Sequence, residues 1–184
     1  MPVKLWLARH ATPLVPAGTC YGRLNVAADA AATTAAAEAL AAALPAGVRL
    51  RASPLQRCEQ LAQSLQGLRP DLACTTDARL AELDFGAWEG QRWDAIAPAA
   101  YDAWTADFAH YRPGGGESLA VLLQRVQGAL AAARGNGGGE AWITHAGVAR
   151  CVHWLLRAPA HTWPAASEWD MPAPAFGAWQ VWDI

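Results

Sequence analysis

Two histidines in this chain follow apolar runs directly. His10 comes after VKLWLA and Arg9, and His145 comes after AWIT. A short, continuous apolar run reads as a buried strand, so both imidazoles are expected at strand carboxyl ends, the edge at which open α/β sheets bind ligands. A lone histidine would carry little weight. Two in equivalent settings, one beside an arginine, point to a site. In SPLQR, Arg57 lies four positions after Ser53, which ends another apolar run. Its guanidinium can return over the sheet edge and offer a planar fork to a pair of anionic oxygens, or it can stay in solvent as Arg69 and Arg125 are expected to do. Spacing alone leaves both readings open. In LAELDFGAWEG, Glu82 is the first acid expected at a strand end. Partial desolvation by Phe85 and Trp88 would keep a proton on it for delivery to a leaving group. Glu89 is expected at the surface. His110, His153 and His161 lack such settings and are expected on the surface or on helices. Two arginines, two histidines and a carboxyl at one edge suit phosphoryl transfer by covalent catalysis. A neutral imidazole attacks phosphorus, the arginines balance charge on the equatorial oxygens, and the acid assists the departing oxygen. This chemistry calls for no metal and no other cofactor, and the adjacent arginines disfavour a bound cation.

Several elements must position these residues. Strands are expected at 3–8, 48–53, 72–76 and 141–144, each bounded by Gly, Pro or polar residues. Helices are expected at 33–45, at 54–68 with Ser53 as cap and Pro54 in the first turn, and at 118–134, where an apolar stripe ends in GNGGG. Strands alternating with helices imply parallel pairing through crossovers. The expected fold is a three-layer α/β/α sandwich with a mostly parallel central sheet, to which FGAWQVWDI adds an edge strand at the C-terminus. Residues 84–117, rich in aromatics, are expected as an insertion with short helices over one end of the sheet.

The 184 residues, 53% of them hydrophobic, suit one domain over 1–184. A formal charge of −2 and a single lysine, Lys4, leave no basic stripe for nucleic acid. Cys20, Cys58, Cys74 and Cys151 show neither a CxxC pair nor finger spacing and are expected as reduced thiols. VKLWLA is too short for a signal peptide or a membrane span, so a cytoplasmic location off the membrane is expected. Oligomeric state is not readable from this pattern.

The order Arg9-His10, SPLQR, ELDFGAWEG, PGGGES and ITHAG resembles the histidine phosphatase superfamily, with its phosphoglycerate mutase-like fold, over almost the whole chain. The resemblance implies that His10 is the nucleophile, forming a phosphohistidine. Arg9, Arg57 and His145 would complete the phosphate pocket, and Glu82 would be the proton donor. The chain departs from the family pattern at Ala11, where glycine is usual, at Thr12 and Pro13, and at Pro16, near a common asparagine. Thr12 would supply a hydroxyl in compensation. CYGRLNVAAD, with DFGAWEG and PGGGES, is similar to the α-ribazole phosphatase branch, although Asn25 stands where aspartate is frequent. Arg23 would then be a further phosphate or substrate contact, or a plain loop arginine, and Tyr21 a candidate substrate contact beside it. Gly114 to Gly116 would present N–H groups to an anion or form only a turn. Trp88, Trp93 and Trp104 would wall an aromatic pocket or pack as core.

The activity implied is metal-independent hydrolysis of a small phosphate ester, with α-ribazole 5′-phosphate the named expectation. Phosphoglycerate mutase-type transfer, protein phosphohistidine hydrolysis and a catalytically silent binding protein on the same fold are the alternatives. The intact set of Arg9, His10, Arg57, Glu82 and His145 argues against the last.

Overall fold

The computed structural model describes residues 3–158 and 162–184, so His161 lies outside the described residues. Five strands, β1 (Lys4–Arg9), β2 (Arg49–Ala52), β3 (Cys74–Thr76), β4 (Glu140–Thr144) and β5 (Trp179–Asp183), form one sheet in the order β3-β2-β4-β1-β5. All pairs are parallel except β1 with β5, which is antiparallel. The helices are α1 (Ala30–Ala43), α2 (Gln56–Leu68), α3 (Pro98–Ala106), α4 (Leu119–Gly135) and α5 (Ala146–Arg157).

Side chains of β4 alternate between two apolar layers, because successive residues of a strand face opposite ways. Trp142 joins Leu5, Leu7 and the buried faces of α4 and α5. Ala141 and Ile143 join Leu50 and the buried faces of α1 and α2 on the other side. Burial on both faces explains why β4 is buried along its whole length.

The register brings distant motifs to one edge. Arg9 pairs with Thr144, and Ala52 pairs with Ile143. Continuing that pattern, His10 N–H donates to the Thr144 carbonyl at 3.1 Å and Ser53 N–H to the Ile143 carbonyl at 2.9 Å. His10, Ser53 and His145 therefore leave three adjacent strands side by side.

Three local expectations are corrected. Helix α2 starts at Gln56, so Pro54 precedes it and Ser53 is not its cap. Asn25 does that task from another segment, its Oδ1 accepting from Gln56 N–H at 2.8 Å. No strand leads into Glu82: residues Ala78–Leu80 form a 3-10 turn. Asp77 winds it by accepting from both the backbone N–H and the guanidinium of Arg79, and Thr144 Oγ1 donates to the Leu80 carbonyl at 2.7 Å, tying the turn to the end of β4. Helix α1 starts at Ala30, earlier than expected, because Asp29 caps it by accepting from Ala32 N–H at 2.7 Å.

The segment after Glu82 contains short 3-10 turns and α3, with a small apolar cluster of its own around Cys20, Trp88 and Ile96. No helix among the described residues is long and apolar enough to cross a membrane.

Candidate active site

His10 is 2% exposed, at the end of β1. Its Nδ1 lies 2.7 Å from the carbonyl of Ala11. A carbonyl can only accept, so Nδ1 carries the ring proton and Nε2 keeps its lone pair. Arg57 Nε donates to that Nε2 at 3.2 Å, which is possible only for the unprotonated nitrogen. Burial first, then the Arg57 charge, hold the imidazole pKa down to about 3, against the opposing pull of the Ala11 carbonyl.

Arg57 is fully buried. The structure brings it over the sheet edge, but its fork serves the protein: Nη1 donates to the Leu24 carbonyl at 2.9 Å and Nη2 to the Gly22 carbonyl at 2.6 Å. Nε is the nitrogen that donates to His10, and Nη1 and Nη2 each keep one further N–H beyond those given to the two carbonyls. The loop it holds is pressed against the strand-end segment. A Cβ on Gly22 would meet the Leu83 carbonyl oxygen at 1.8 Å, so only glycine fits there.

His145 is fully buried, and its ring lies 5.2 Å from that of His10, centre to centre. Burial, then the Arg57 charge, lower its pKa well below the usual value. Arg9 lies with its guanidinium carbon 3.8 Å above the Phe176 ring and donates from Nη1 to the Pro174 carbonyl. Its buried Nε has no hydrogen-bond partner among the described residues. Glu82 Oε2 accepts from Gly147 N–H at 3.0 Å, at the start of α5, and Oε1 accepts from Leu83 N–H at 3.1 Å.

These groups border two cavities. One of about 290 Å³ lies over His10, with Arg9, Tyr21 and Thr19 in its wall. The other, about 460 Å³, is an aromatic chamber that includes Phe85, Trp104, Phe108 and Trp169. Glu82, Trp93 and Arg150 line both. The carboxyl therefore stands at the passage between a cationic pocket and an apolar one.

Other expected residues lie elsewhere. Thr12 is exposed, its carbonyl accepts from Asp29 N–H, and it lines neither cavity, because the Pro13–Ala28 bridge carries this segment away along the loop. Arg23 is exposed in a separate groove, with Nε donating to the Glu82 carbonyl at 3.2 Å. Trp88 packs against Tyr101 and Trp104 inside the insertion and lines neither cavity, whereas Trp93 and Trp104 do. Glu89 is not a free surface acid: its carboxylate accepts from the N–H groups of Arg23, Leu24 and Phe85. His110 is exposed and His153 is buried in α5 against Trp182.

Two wall residues have no counterpart in the reading of the sequence. Thr19 offers no pattern to detect. Arg150 does, since it follows a strand end by a short helical interval just as Arg57 does. It donates from Nε to the Met171 carbonyl at 3.0 Å, and its terminal nitrogens meet no acceptor among the described residues.

The sequence profile of the histidine phosphatase superfamily (branch 1) matches residues 5–170. The chain belongs to the histidine phosphatase superfamily. Solved structures similar to it include TTHB049 from Thermus thermophilus, 30% identical with a TM-score of 0.66 over 82% of each chain. A mycobacterial glucosyl-3-phosphoglycerate phosphatase in complex with inorganic phosphate is 25% identical, with a TM-score of 0.79 over 97% of this chain and 88% of that one. A search of curated proteins finds no match.

Within this histidine phosphatase fold, PGGGES acts as a brace. Gly115 and Gly116 N–H groups close a turn on Arg112 and Pro113, and Glu117 N–H donates to the Asp84 carbonyl at 2.7 Å. A Cβ on Gly114 would lie 2.1 Å from the Phe85 carbonyl oxygen. The glycines permit this close approach to the DFG turn, and the turn reading is the one seen.

Proposed function

We propose that this chain works as one domain and hydrolyses a phosphomonoester through a phosphohistidine on His10. The observation that carries the reading is the His10 tautomer: Nδ1–H is committed to the Ala11 carbonyl, so Nε2 is unprotonated, and its lone pair is held by a single long hydrogen bond from Arg57 Nε that an arriving phosphoryl group displaces. The Nε2 electron pair forms a bond to phosphorus as the ester P–O bond breaks. The departing oxygen takes a proton from Glu82, which lines both the pocket over His10 and the chamber beside it. The imidazolium of the phosphohistidine is stabilised by its Nδ1–H bond to Ala11. Water, giving a proton to Glu82, then attacks phosphorus. The N–P bond breaks and its electron pair returns to His10, releasing inorganic phosphate. Arg9, Arg57 and Arg150 balance charge on the equatorial oxygens, and His145 donates to one of them.

The aromatic chamber beside Glu82 supports a leaving group with a flat apolar face. α-Ribazole 5′-phosphate, a ribose phosphate bearing an aromatic base, is our first candidate. The glycosylated phosphoglycerate in the name of the mycobacterial neighbour is the second to assay. Rapid quench with a 32P-labelled ester should trap an acid-labile phosphoprotein in the wild type and none in His10→Ala. Equal labelling of the two would remove His10 from the role. Transfer of label to an added acceptor instead of water would indicate a mutase.

A further inference from the structure

Ser53 and His145 form a buried pair that the scheme above leaves unexplained. Ser53 Oγ lies 2.7 Å from His145 Nε2, and neither side chain is exposed. The Ser53 oxygen already accepts from Leu55 N–H at 3.3 Å. Its own proton still needs an acceptor, because a buried hydroxyl that donates to nothing is costly. Two acceptors are in reach among the described residues, His145 Nε2 and the Cys58 sulfur, and the imidazole nitrogen is much the stronger. Cys58 Sγ lies 3.4 Å from the same nitrogen and 3.6 Å from the Thr144 carbonyl. Burial pushes the Cys58 thiol up, so it keeps its proton and is a weak donor to either. Donors and no obligatory acceptor thus surround Nε2.

If Nε2 accepts, the ring proton must sit on Nδ1. That nitrogen is buried and has no hydrogen-bond partner among the described residues. Arg9 Nε in the same pocket is likewise without a partner, and unsatisfied donors gathered at one place are explained when their acceptor arrives with the substrate. We propose that Ser53 is a positioning residue that locks His145 in the Nδ1–H tautomer, so that this imidazole offers a fixed neutral donor to an oxygen of the phosphoryl group on His10. The inference rests on the reading of His10 as phosphoryl acceptor.

The two histidines then hold the same tautomer by opposite devices. His10 has an acceptor, the Ala11 carbonyl, on Nδ1, which leaves the Nε2 lone pair facing the pocket, where it accepts from the Arg57 Nε–H at 3.2 Å. His145 has a donor on Nε2, which occupies its lone pair and leaves an N–H. With the tautomers so fixed, the lone pair of His145 is directed at Ser53 and not at phosphorus, and its N–H is on the opposite side of the ring. In the reversed tautomer its Nδ1 lone pair would face an anionic oxygen and repel it.

The tautomer can be read without substrate, from long-range 1H–15N correlations of the protein labelled with 15N-histidine. The expected result is a protonated Nδ1 and a bare Nε2 on His145, and a mixture of tautomers in Ser53→Ala. Affinity for vanadate and kcat/KM should both fall about ten- to a hundredfold in Ser53→Ala, the range for losing a hydrogen bond to a charged group. Ser53→Cys, of similar size and a weak donor, should fall between, with thermal melting checked for each. In a His145→Gln background, Ser53→Ala should cause no further loss, whereas a merely structural serine would add its own effect. A protonated Nε2 in the wild type, an unchanged tautomer in Ser53→Ala, or additive losses in the double variant would each overturn the proposal. Loss of the phosphohistidine reading would instead show as unchanged labelling in His10→Ala, leaving the tautomer result distinct.

Discussion

Lowering the pH from 7 to 4.5 should cost the wild-type fold about 2.5 kcal/mol more than it costs His10→Asn. The folded protein holds the His10 pKa at about 3, against 6.5 for an ordinary histidine. Between those values the unfolded chain binds a proton that the folded chain refuses, so stability rises with pH across this window and is lost as pH falls. At pH 4.5 the unfolded histidine is almost fully protonated while the folded one is almost fully neutral, a difference of about 2.7 kcal/mol; at pH 7 the same linkage gives about 0.2 kcal/mol. The buried setting of His10, 2% exposed, justifies taking this figure without discount for solvent screening. Asparagine retains an amide donor for the Ala11 carbonyl but does not titrate. His145 is pushed the same way by burial, but it is present in both proteins and cancels from the comparison. The assay is the urea midpoint of each protein at the two pH values, with the slope checked for constancy. Equal losses in both would show that His10 is not held neutral by the fold, and would remove the basis for calling Nε2 a ready nucleophile.

Glu82→Gln should slow single-turnover hydrolysis of a sugar phosphate by about a hundredfold, the lower end for general acid catalysis, and that of p-nitrophenyl phosphate much less, because p-nitrophenolate leaves nearly unaided. Equal factors would assign Glu82 to phosphate binding or water activation instead. Arg150→Met should lower kcat/KM about ten- to a hundredfold for every phosphate ester, with only a small drop in melting temperature, since it gives up a single protein hydrogen bond, from Nε to the Met171 carbonyl. An unchanged kcat/KM would place its terminal nitrogens outside the reaction.

The residues at strand ends were legible because their placement is a local matter. An apolar run of strand length followed by Arg-His or by His can hardly be arranged otherwise in an alternating α/β chain, and the register of β1, β2 and β4 brings the three strand ends together as expected. The short helices of the insertion follow equally from local turn chemistry. Helix starts were less legible, because the group that caps a helix need not be its neighbour in sequence. Asn25, far upstream, supplies the acceptor for Gln56 that Ser53 was expected to provide.

By itself, then, the sequence determined the layered sheet and the placing of Arg9, His10, Ser53 and His145 at strand ends, since hydrophobic period and strand length act within a few residues. Only the tertiary structure decided which atom of each side chain faces which partner. The fork of Arg57 donates to the carbonyls of Gly22 and Leu24, Trp88 sits in the insertion core while Trp93 and Trp104 line the chamber, and Ser53 turns to His145. The physical reason is that a buried donor or acceptor must be satisfied by whatever polar group the packing of distant segments brings within about 3 Å, and that group is chosen by chain crossings that no local pattern records.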